Sequence, residues 1–441
     1  EQLDLTAADL EKPAIALPKA QALYLDSLTK SDETLYLDRS PEFRRMVREL
    51  REPQETDVAL PAGIRGVLRG YQEIGYRWLK SLARYGLGGI LADDMGLGKT
   101  LQVLAFLLSE REKPGPSLVV APTSLVFNWQ EEAARFTPDL RVLVIAGQAP
   151  DRQALLAEAA QTDLLVTSYG MLKRDVALYA SLRLKYCFLD EAQNVKNPQT
   201  LNAKTVRKIE AGVCFALTGT PIENSLTELW SVFDFILPGY LRNHADFVRR
   251  FETPIVKNAD TAAQRELSRH IRPFVLRRMK KTVLRELPEK IESKVTTPMT
   301  PEQIRLYTAW LLKTRREFEQ EVDARGFDQS RIKILALLTR LRQICCHPSL
   351  FIEDYRGGSG KLSALADLIQ TARDGGHRAL IFSQFTGMLE LIQPTLAEAG
   401  VRWHYLDGAT PASERIHRVN AFNGGDRDVF LISLKAGGTG L

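Results

Sequence analysis

The sequence has only four cysteines in 441 residues, and two of them are adjacent, Cys345 and Cys346, just before His347. That excludes a disulfide framework and offers no C-x-x-C pair for zinc. The chain reads as one kept in a reducing interior, and its Cys-Cys-His run as core packing and a helix end. Long hydrophobic runs are lacking too: no charge-free apolar stretch approaches the roughly 18 residues that a membrane span needs. The opening "EQLDLTAADLEK" has neither the basic start nor the apolar centre of a secretory signal. These absences lead us to expect a cytoplasmic protein with no membrane partner. An excess of one charge is missing as well. Lys plus Arg number 59 and Asp plus Glu 54, a net of +5, too slight to imply nucleic acid by itself, so any basic site must be local. There is no short repeat and no low-complexity tract. Because the first residue is Glu1 and the last letters are "GGTGL", we expect part of a longer protein.

What is present is an ordinary globular composition, 44% hydrophobic and 26% charged, in a chain long enough for two or three cores. Short apolar runs rich in β-branched residues recur at 89–92, 117–121, 142–146, 164–167, 186–189 and 213–217. Helical stretches separate them. Continuous apolar runs of this length predict a parallel sheet covered on both faces, an α/β fold. From about 226 to 272 the pattern becomes helical and charged, with Trp230, Phe233, Phe235, Phe247 and Phe251 as expected core. A second helical stretch covers about 300–350, and a glycine-rich turn at 357–360 ends it. The α/β rhythm then returns with runs at 379–382, 403–406 and 429–433. We therefore expect a helical extension at 1–60, a first α/β lobe at 61–275, a linker at 276–296 and a second α/β lobe at 297–441. Within the extension, "PEFRRMVRELRE" reads as an amphipathic helix.

Chemistry concentrates first at "LADDMGLGKT", residues 91–100. The phosphate-loop pattern G-x-x-x-x-G-K-[ST] asks for glycine where Asp93 stands, but Gly98, Lys99 and Thr100 fit it. A strand precedes the loop and an apolar helix follows, the context that phosphate requires: the first N–H groups of a helix lack intrahelical partners and carry the positive end of its dipole. Gly96 and Gly98 let the backbone come close to phosphate oxygens. Lys99 would reach the β- and γ-phosphates of ATP, and the Thr100 hydroxyl would ligate Mg²⁺. A plain strand-to-helix turn with an exposed lysine is the alternative, and the context disfavours it. "FLDEAQ", residues 188–193, then supplies two carboxylates at a strand end, Asp190 toward Mg²⁺ and Glu191 to orient or deprotonate water. Alone such a pair would be a solvated edge; beside the loop it makes a hydrolytic site. "LTGTP" at 217–221 ends another strand, where small polar groups could sense the γ-phosphate.

With these residues in view the chain resembles the Swi/Snf-type ATPases of helicase superfamily two, double-stranded-DNA translocases built on two RecA-like parallel-sheet lobes. The likeness runs from about residue 68 to the end and suggests a bacterial or archaeal type. In that family the loop commonly begins Asp-Asp/Glu-Met-Gly-Leu-Gly-Lys-Thr, so Asp93 is expected, and Asp94, Met95, Gly96, Leu97, Gly98, Lys99 and Thr100 are implied as nucleotide-binding. "LRGYQ" looks like the adenine-reading motif, with Gln72 on the base edge. "LDEAQNVKN" looks like motif II, which adds Gln193 to Lys99, Asp190 and Glu191 as catalytic, in place of the histidine of many relatives. "APTSLVFNW" and "TSYGML" resemble first-lobe motifs that touch the DNA backbone, "ALIFSQFTGML" and "LDGATPASER" resemble motif IV and its neighbour in the second lobe, and "LISLKAGGTGL" resembles motif V, cut short. Candidate phosphate donors are Thr123, Ser124, Asn128 and Ser168 in the first lobe, and Ser383, Gln384, Arg415 and Lys435 in the second. "FVLRRMKKTVLRELPEK" and "LRQICCHPSLF" set the family apart from the RNA helicases. The basic run Arg277, Arg278, Lys280, Lys281 and Arg285 reads equally as a DNA patch and as an element coupling the lobes.

Motif VI, which in relatives supplies arginine fingers from an otherwise similar second lobe, has no counterpart before Leu441. The second lobe is thus expected to be incomplete. Since an arginine finger is worth roughly 10³- to 10⁵-fold in rate in other nucleotide hydrolases, the chain is expected to bind ATP and hydrolyse it poorly. The resemblance implies an ATP- and Mg²⁺-dependent monomeric motor on double-stranded DNA, contacting the backbone without sequence preference and remodelling DNA-bound proteins such as RNA polymerase. Two other readings are a strand-separating DNA or RNA helicase, and an ATP-gated scaffold for DNA or a polymerase that does not turn over.

Overall fold

The computed structural model describes residues 17–29, 38–64, 68–219, 225–284 and 291–437, and the chain divides into two compact units, Glu1–Pro288 and Glu289–Leu441. In the first unit the apolar runs become the strands β1 (Gly89–Leu91), β2 (Ser117–Ala121), β3 (Val142–Ile145), β4 (Leu164–Ser168), β5 (Leu184–Leu189) and β6 (Ala211–Leu217), joined by β7 (Val275–Leu276). They form one all-parallel sheet in the order β3-β4-β2-β5-β6-β1-β7. Every residue of β1, β2 and β4 is buried, as strands covered on both faces require.

Two helices precede this sheet and share its core. Lys19–Thr29 contributes Ala20 and Leu23. Pro41–Arg51 contributes Met46, Val47 and Leu50, and its first turn is capped by Ser40, which accepts from the Phe43 N–H at 3.2 Å. The amphipathic reading of that segment therefore holds, and its apolar stripe packs on the first unit. The helical stretch after β6 contains Leu226–Ile236 and Thr261–Ile271, and Trp230, Phe233, Phe235, Phe247 and Phe251 are all buried. His270 at the end of this stretch stacks on Tyr24, ring centroids 3.6 Å apart.

The segment 276–296 differs from its reading as a linker. Leu276 pairs with Leu91, and the Ala92 N–H donates to the Leu276 carbonyl at 2.7 Å. The chain thus completes the edge of the first sheet before it leaves, and the division between units falls after Pro288. A two-residue strand followed at once by Arg277 and Arg278 has no apolar run long enough to announce it.

The second unit opens with two long helices, Pro301–Arg325 and Phe327–Cys346. They are tied where the first begins and the second ends, Gln303 Nε2 donating to the Ile344 carbonyl at 3.1 Å. The glycine-rich turn leads to Ser359, which caps the helix Gly360–Asp374. Strands β8 (Ala379–Ser383), β9 (Trp403–Leu406) and β10 (Val429–Ser433) pair in parallel in the order β8-β10-β9. Ile369, Leu389, Ile392, Val429 and Leu431 form the core between this sheet and its helices.

Candidate nucleotide-binding site

Because β5, β6 and β1 are adjacent and parallel, their carboxyl ends lie side by side on one edge of the first sheet. That edge is where open α/β sheets take ligands. The loop 92–98 leaves β1, Asp190 and Glu191 follow β5, and Thr218 follows β6. Sequence positions far apart are thereby gathered by topology alone.

The loop closes through its glycines. Gly96 and Gly98 hold φ of +83° and +70°, a region that costs glycine nothing, and Gly98 caps the helix Lys99–Ser109. The Lys99 ammonium donates to the Asp93 carbonyl at 2.8 Å. Thr100 lies in the first turn and is partly exposed, as are Asp94 and Gly98; Met95 is 57% exposed, and Leu97 is buried. Burial pushes the Asp190 carboxyl up to about 6. Its neighbour Glu191 adds to that rise, while the Trp129 N–H, the Glu191 N–H and the Lys99 charge draw it back. Lys99 begins the helix after the loop that leaves β1, and Asp190 follows β5, so both stand on the same edge of the sheet.

Asp190 and Glu191 are oriented by a chain of hydrogen bonds. The Trp129 indole donates to Asp190 Oδ2 at 2.8 Å, the Glu191 N–H to Oδ1 at 2.9 Å, and the Tyr169 hydroxyl to the Asp190 carbonyl at 2.8 Å. Glu191 itself sits at φ +47°, an uncommon conformation for a residue with a side chain. Gln193 Nε2 donates to Glu191 Oε2 at 2.7 Å, and its Oε1 accepts from Thr218 Oγ1 at 3.2 Å. Gln193 thus joins the ends of β5 and β6. The end of the "LTGTP" stretch, residues 220 and 221, lies outside the described residues.

Trp129 and Tyr169 were not singled out in the sequence, although both fall in stretches read as DNA contacts. An aromatic with a polar tip needs a partner when buried, and Trp129 is 0% exposed. That rule names the need without naming Asp190.

Gln72 is 6% exposed, and both ends of its amide are used within the chain. Oε1 accepts from the Arg69 N–H at 2.8 Å, and Nε2 donates to the Leu97 carbonyl at 3.2 Å. The side chain read as facing a base edge is in this structure a support for the phosphate loop.

The expected DNA donors separate into two groups. Thr123 is exposed, Ser124 partly so, and Asn128 donates to Glu132 at 2.9 Å; Gln384 and Lys435 are exposed in the second unit. Ser168, by contrast, is 3% exposed and caps the helix Tyr169–Tyr179, accepting from the Met171 N–H. Ser383 exchanges hydrogen bonds with the backbone of Phe385. Arg415 donates to the carbonyls of Thr410 and Asp407 at 2.9 and 2.8 Å. Local backbone acceptors and donors claim these three side chains. Arg278, from the basic run, is 11% exposed at its side chain and paired with Asp93, whereas Arg277, Lys280 and Lys281 are exposed and Arg285 lies outside the described residues.

Among the described residues no cluster of three or more His, Cys, Asp or Glu side chains could hold a metal by itself. The groups present do fit a magnesium nucleotide: a buried carboxyl, a lysine, a threonine hydroxyl and the first N–H groups of a helix. No helix among the described residues is long and apolar enough to cross a membrane.

A glycine-lined loop at the first strand, a following lysine and an acid pair at the end of a nearby parallel strand define a nucleotide-hydrolase core of the P-loop class. Comparison with known proteins gives the family. The SNF2-related domain model matches residues 71–350, the helicase conserved C-terminal domain model 360–441, and the bacterial SNF2 helicase associated model 1–61. The chain belongs to the SNF2-related family. It is 37% identical over 420 residues to YwqA of Bacillus subtilis, by its name a candidate ATP-dependent helicase/translocase, covering 92% of this chain and 45% of that protein. It is 35% identical over 397 residues to the mouse SWI/SNF-related matrix-associated actin-dependent regulator of chromatin subfamily A member 1, covering 85% of this chain and 37% of that protein. The Sulfolobus solfataricus SWI2/SNF2 ATPase core, solved in complex with double-stranded DNA, matches with a TM-score of 0.51 at 35% identity, over 86% of this chain and 80% of that one. The paired RecA-like architecture read from the sequence is that of this ATPase core. The chain spans less than half the length of the curated relatives it matches.

Proposed function

We propose that the chain is the ATP-driven motor of a protein that moves along double-stranded DNA and remodels protein–DNA complexes. The observation that carries this is topological: the loop that leads into Lys99 follows β1 and the Asp190–Glu191 pair follows β5, on the same edge of one parallel sheet. Lys99 and the N–H groups of Gly96 to Thr100 would hold the phosphates of ATP, and Asp190 and Thr100 would hold Mg²⁺. Magnesium in that place neutralises charge developing on phosphate oxygens. Glu191 orients the attacking water and takes its proton, and Gln193 holds Glu191 to the Thr218 end of β6, so that the acid pair and the neighbouring strand end respond together.

Duplex DNA is supported by the Sulfolobus relative, whose structure contains it. Motion without sequence preference needs phosphate contacts rather than base readout. Thr123, Ser124, Asn128, Gln384 and Lys435 are the donors we assign to it, together with Arg277 and Lys281. Partners are DNA-bound proteins such as RNA polymerase, and the acting species is a monomer in the cytoplasm. The test, made with the chain extended past Leu441, is ATP turnover measured without nucleic acid and with single-stranded DNA, duplex DNA and RNA, alongside triplex displacement and strand displacement. Duplex-stimulated turnover with triplex displacement is expected. Strand displacement without triplex displacement would replace this reading with a strand-separating helicase.

A further inference from the structure

At the position where a phosphate loop ordinarily has glycine, this chain places a buried carboxylate. Asp93 is 0% exposed, and three N–H groups hold it: Arg278 Nε on Oδ1 at 2.8 Å, Arg278 Nη2 on Oδ2, and Gln102 Nε2 on Oδ2 at 3.2 Å. Arg278 Nη2 also donates to Gln102 Oε1 at 2.8 Å, and Nη1 to the Tyr71 carbonyl. The guanidinium therefore fixes both the carboxylate and the orientation of the Gln102 amide.

That orientation has a consequence one peptide further along the loop. The Leu97 carbonyl accepts from Tyr71 Oη and Gln72 Nε2, each at 3.2 Å, and from Gln102 Nε2 at 3.4 Å. In a trans peptide the carbonyl and the next N–H point in opposite directions. Holding the Leu97 oxygen in this inner cluster turns the Gly98 N–H to the other side, away from the cluster. The backbone is secured in parallel, because the Asp94 N–H donates to the Arg278 carbonyl at 3.1 Å and the Lys280 N–H to Asp94 Oδ2 at 2.9 Å.

We propose that Arg278 is a positioning residue for the nucleotide loop: through Asp93 and Gln102 it locks the Leu97–Gly98 peptide in the orientation that presents the Gly98 N–H to phosphate. This rests on the ATP reading above. It also removes Arg278 from the DNA surface and makes the edge strand β7 part of the nucleotide site.

The experiment uses the whole 441-residue chain and the variants Arg278→Gln, Asp93→Asn, their double, and Arg278→Lys. A fluorescent ATP analogue with Mg²⁺ reports affinity, and amide hydrogen exchange at residues 96–100 without nucleotide reports the loop. Both single variants are expected to bind the analogue roughly tenfold more weakly, the equivalent of one charge-assisted hydrogen bond, and to exchange faster in the loop. The double variant should be no worse than the weaker single one, because the two act through each other. Arg278→Lys keeps the buried charge paired but lacks the fork, so it should fold and still loosen the loop even if Arg278→Gln unfolds. Unchanged exchange in a folded Arg278→Lys protein, or losses that add in the double, would overturn the inference. Failure of the unaltered chain to bind the analogue would instead count against the ATP reading, with the exchange comparison still deciding the role of Arg278.

Discussion

Gly75 offers a test in which a general rule and this structure disagree in sign. It lies inside the helix Gly70–Arg84, where alanine in place of glycine ordinarily gains about 1 kcal/mol. Here a Cβ would stand 1.8 Å from Gln102 Oε1 and 2.9 Å from Arg278 Nη2. No rotation of alanine relieves that overlap, so Gln102 and the guanidinium must retreat. The atoms that must move are the ends of buried side chains, Gln102 being 0% exposed and Arg278 11% at its side chain; both charges stay in place, and an amide left short of a partner costs about 1–3 kcal/mol. Set against the helix gain, Gly75→Ala should lose roughly 1 kcal/mol. Urea unfolding of the first unit, followed by tryptophan fluorescence, measures it. Gly70→Ala is the control, because a Cβ at Gly70 would meet nothing within 4 Å. If Gly75→Ala proved as stable as the parent or as Gly70→Ala, the packing of Arg278 and Gln102 against this helix would be wrong.

Glu191→Gln in the chain extended past Leu441 should keep ATP binding and lower DNA-stimulated turnover by about 10²- to 10⁴-fold, read by nucleotide titration beside a phosphate-release assay; equal loss of binding would remove Glu191 from the water-activating role. His270 is pushed down to about 3 by burial first, then by Arg250 and Arg242, although Glu266 lies 4.0 Å from its Nε2. The unfolded chain therefore takes up this proton first, so His270 leaves stability unchanged above about pH 6.5 and lowers it as pH falls toward 3. The loss is about 2 kcal/mol at pH 5. Denaturation from pH 8 to 5 should be flatter for His270→Gln than for the parent, and parallel curves would refute the assignment. Replacing the exposed Arg277 and Lys281 by alanine should reduce the salt slope of duplex affinity by roughly 1 to 2. An unchanged slope would take both off the DNA.

Much of the fold was legible because its central strands are continuous apolar runs, and the loop because glycine, lysine and threonine at fixed spacing have few other uses. Asp190 and Glu191 could be read from the end of β5 once the loop was in place. Edge strand β7 could not, since two residues carry no period and their partner, β1, is set by tertiary pairing. The bond from Arg278 to Asp93 spans 185 residues, and charge alone made Arg278 look like surface. Ser168 carried a usable signal: a serine just before a helix is first an N-cap, and that local demand took precedence over the reading as a phosphate donor. Gln72 was read as facing a base edge, whereas both ends of its amide are used on the backbone of Arg69 and Leu97; which groups an amide satisfies is decided by neighbours that the sequence does not order in space.

The Lys99 ammonium donates to the carbonyl of Asp93, the residue whose carboxylate Arg278 and Gln102 hold. One residue thus joins the lysine, the loop and the edge strand. A substitution at Asp93 changes the backbone on which Lys99 leans as well as the charge that Arg278 faces.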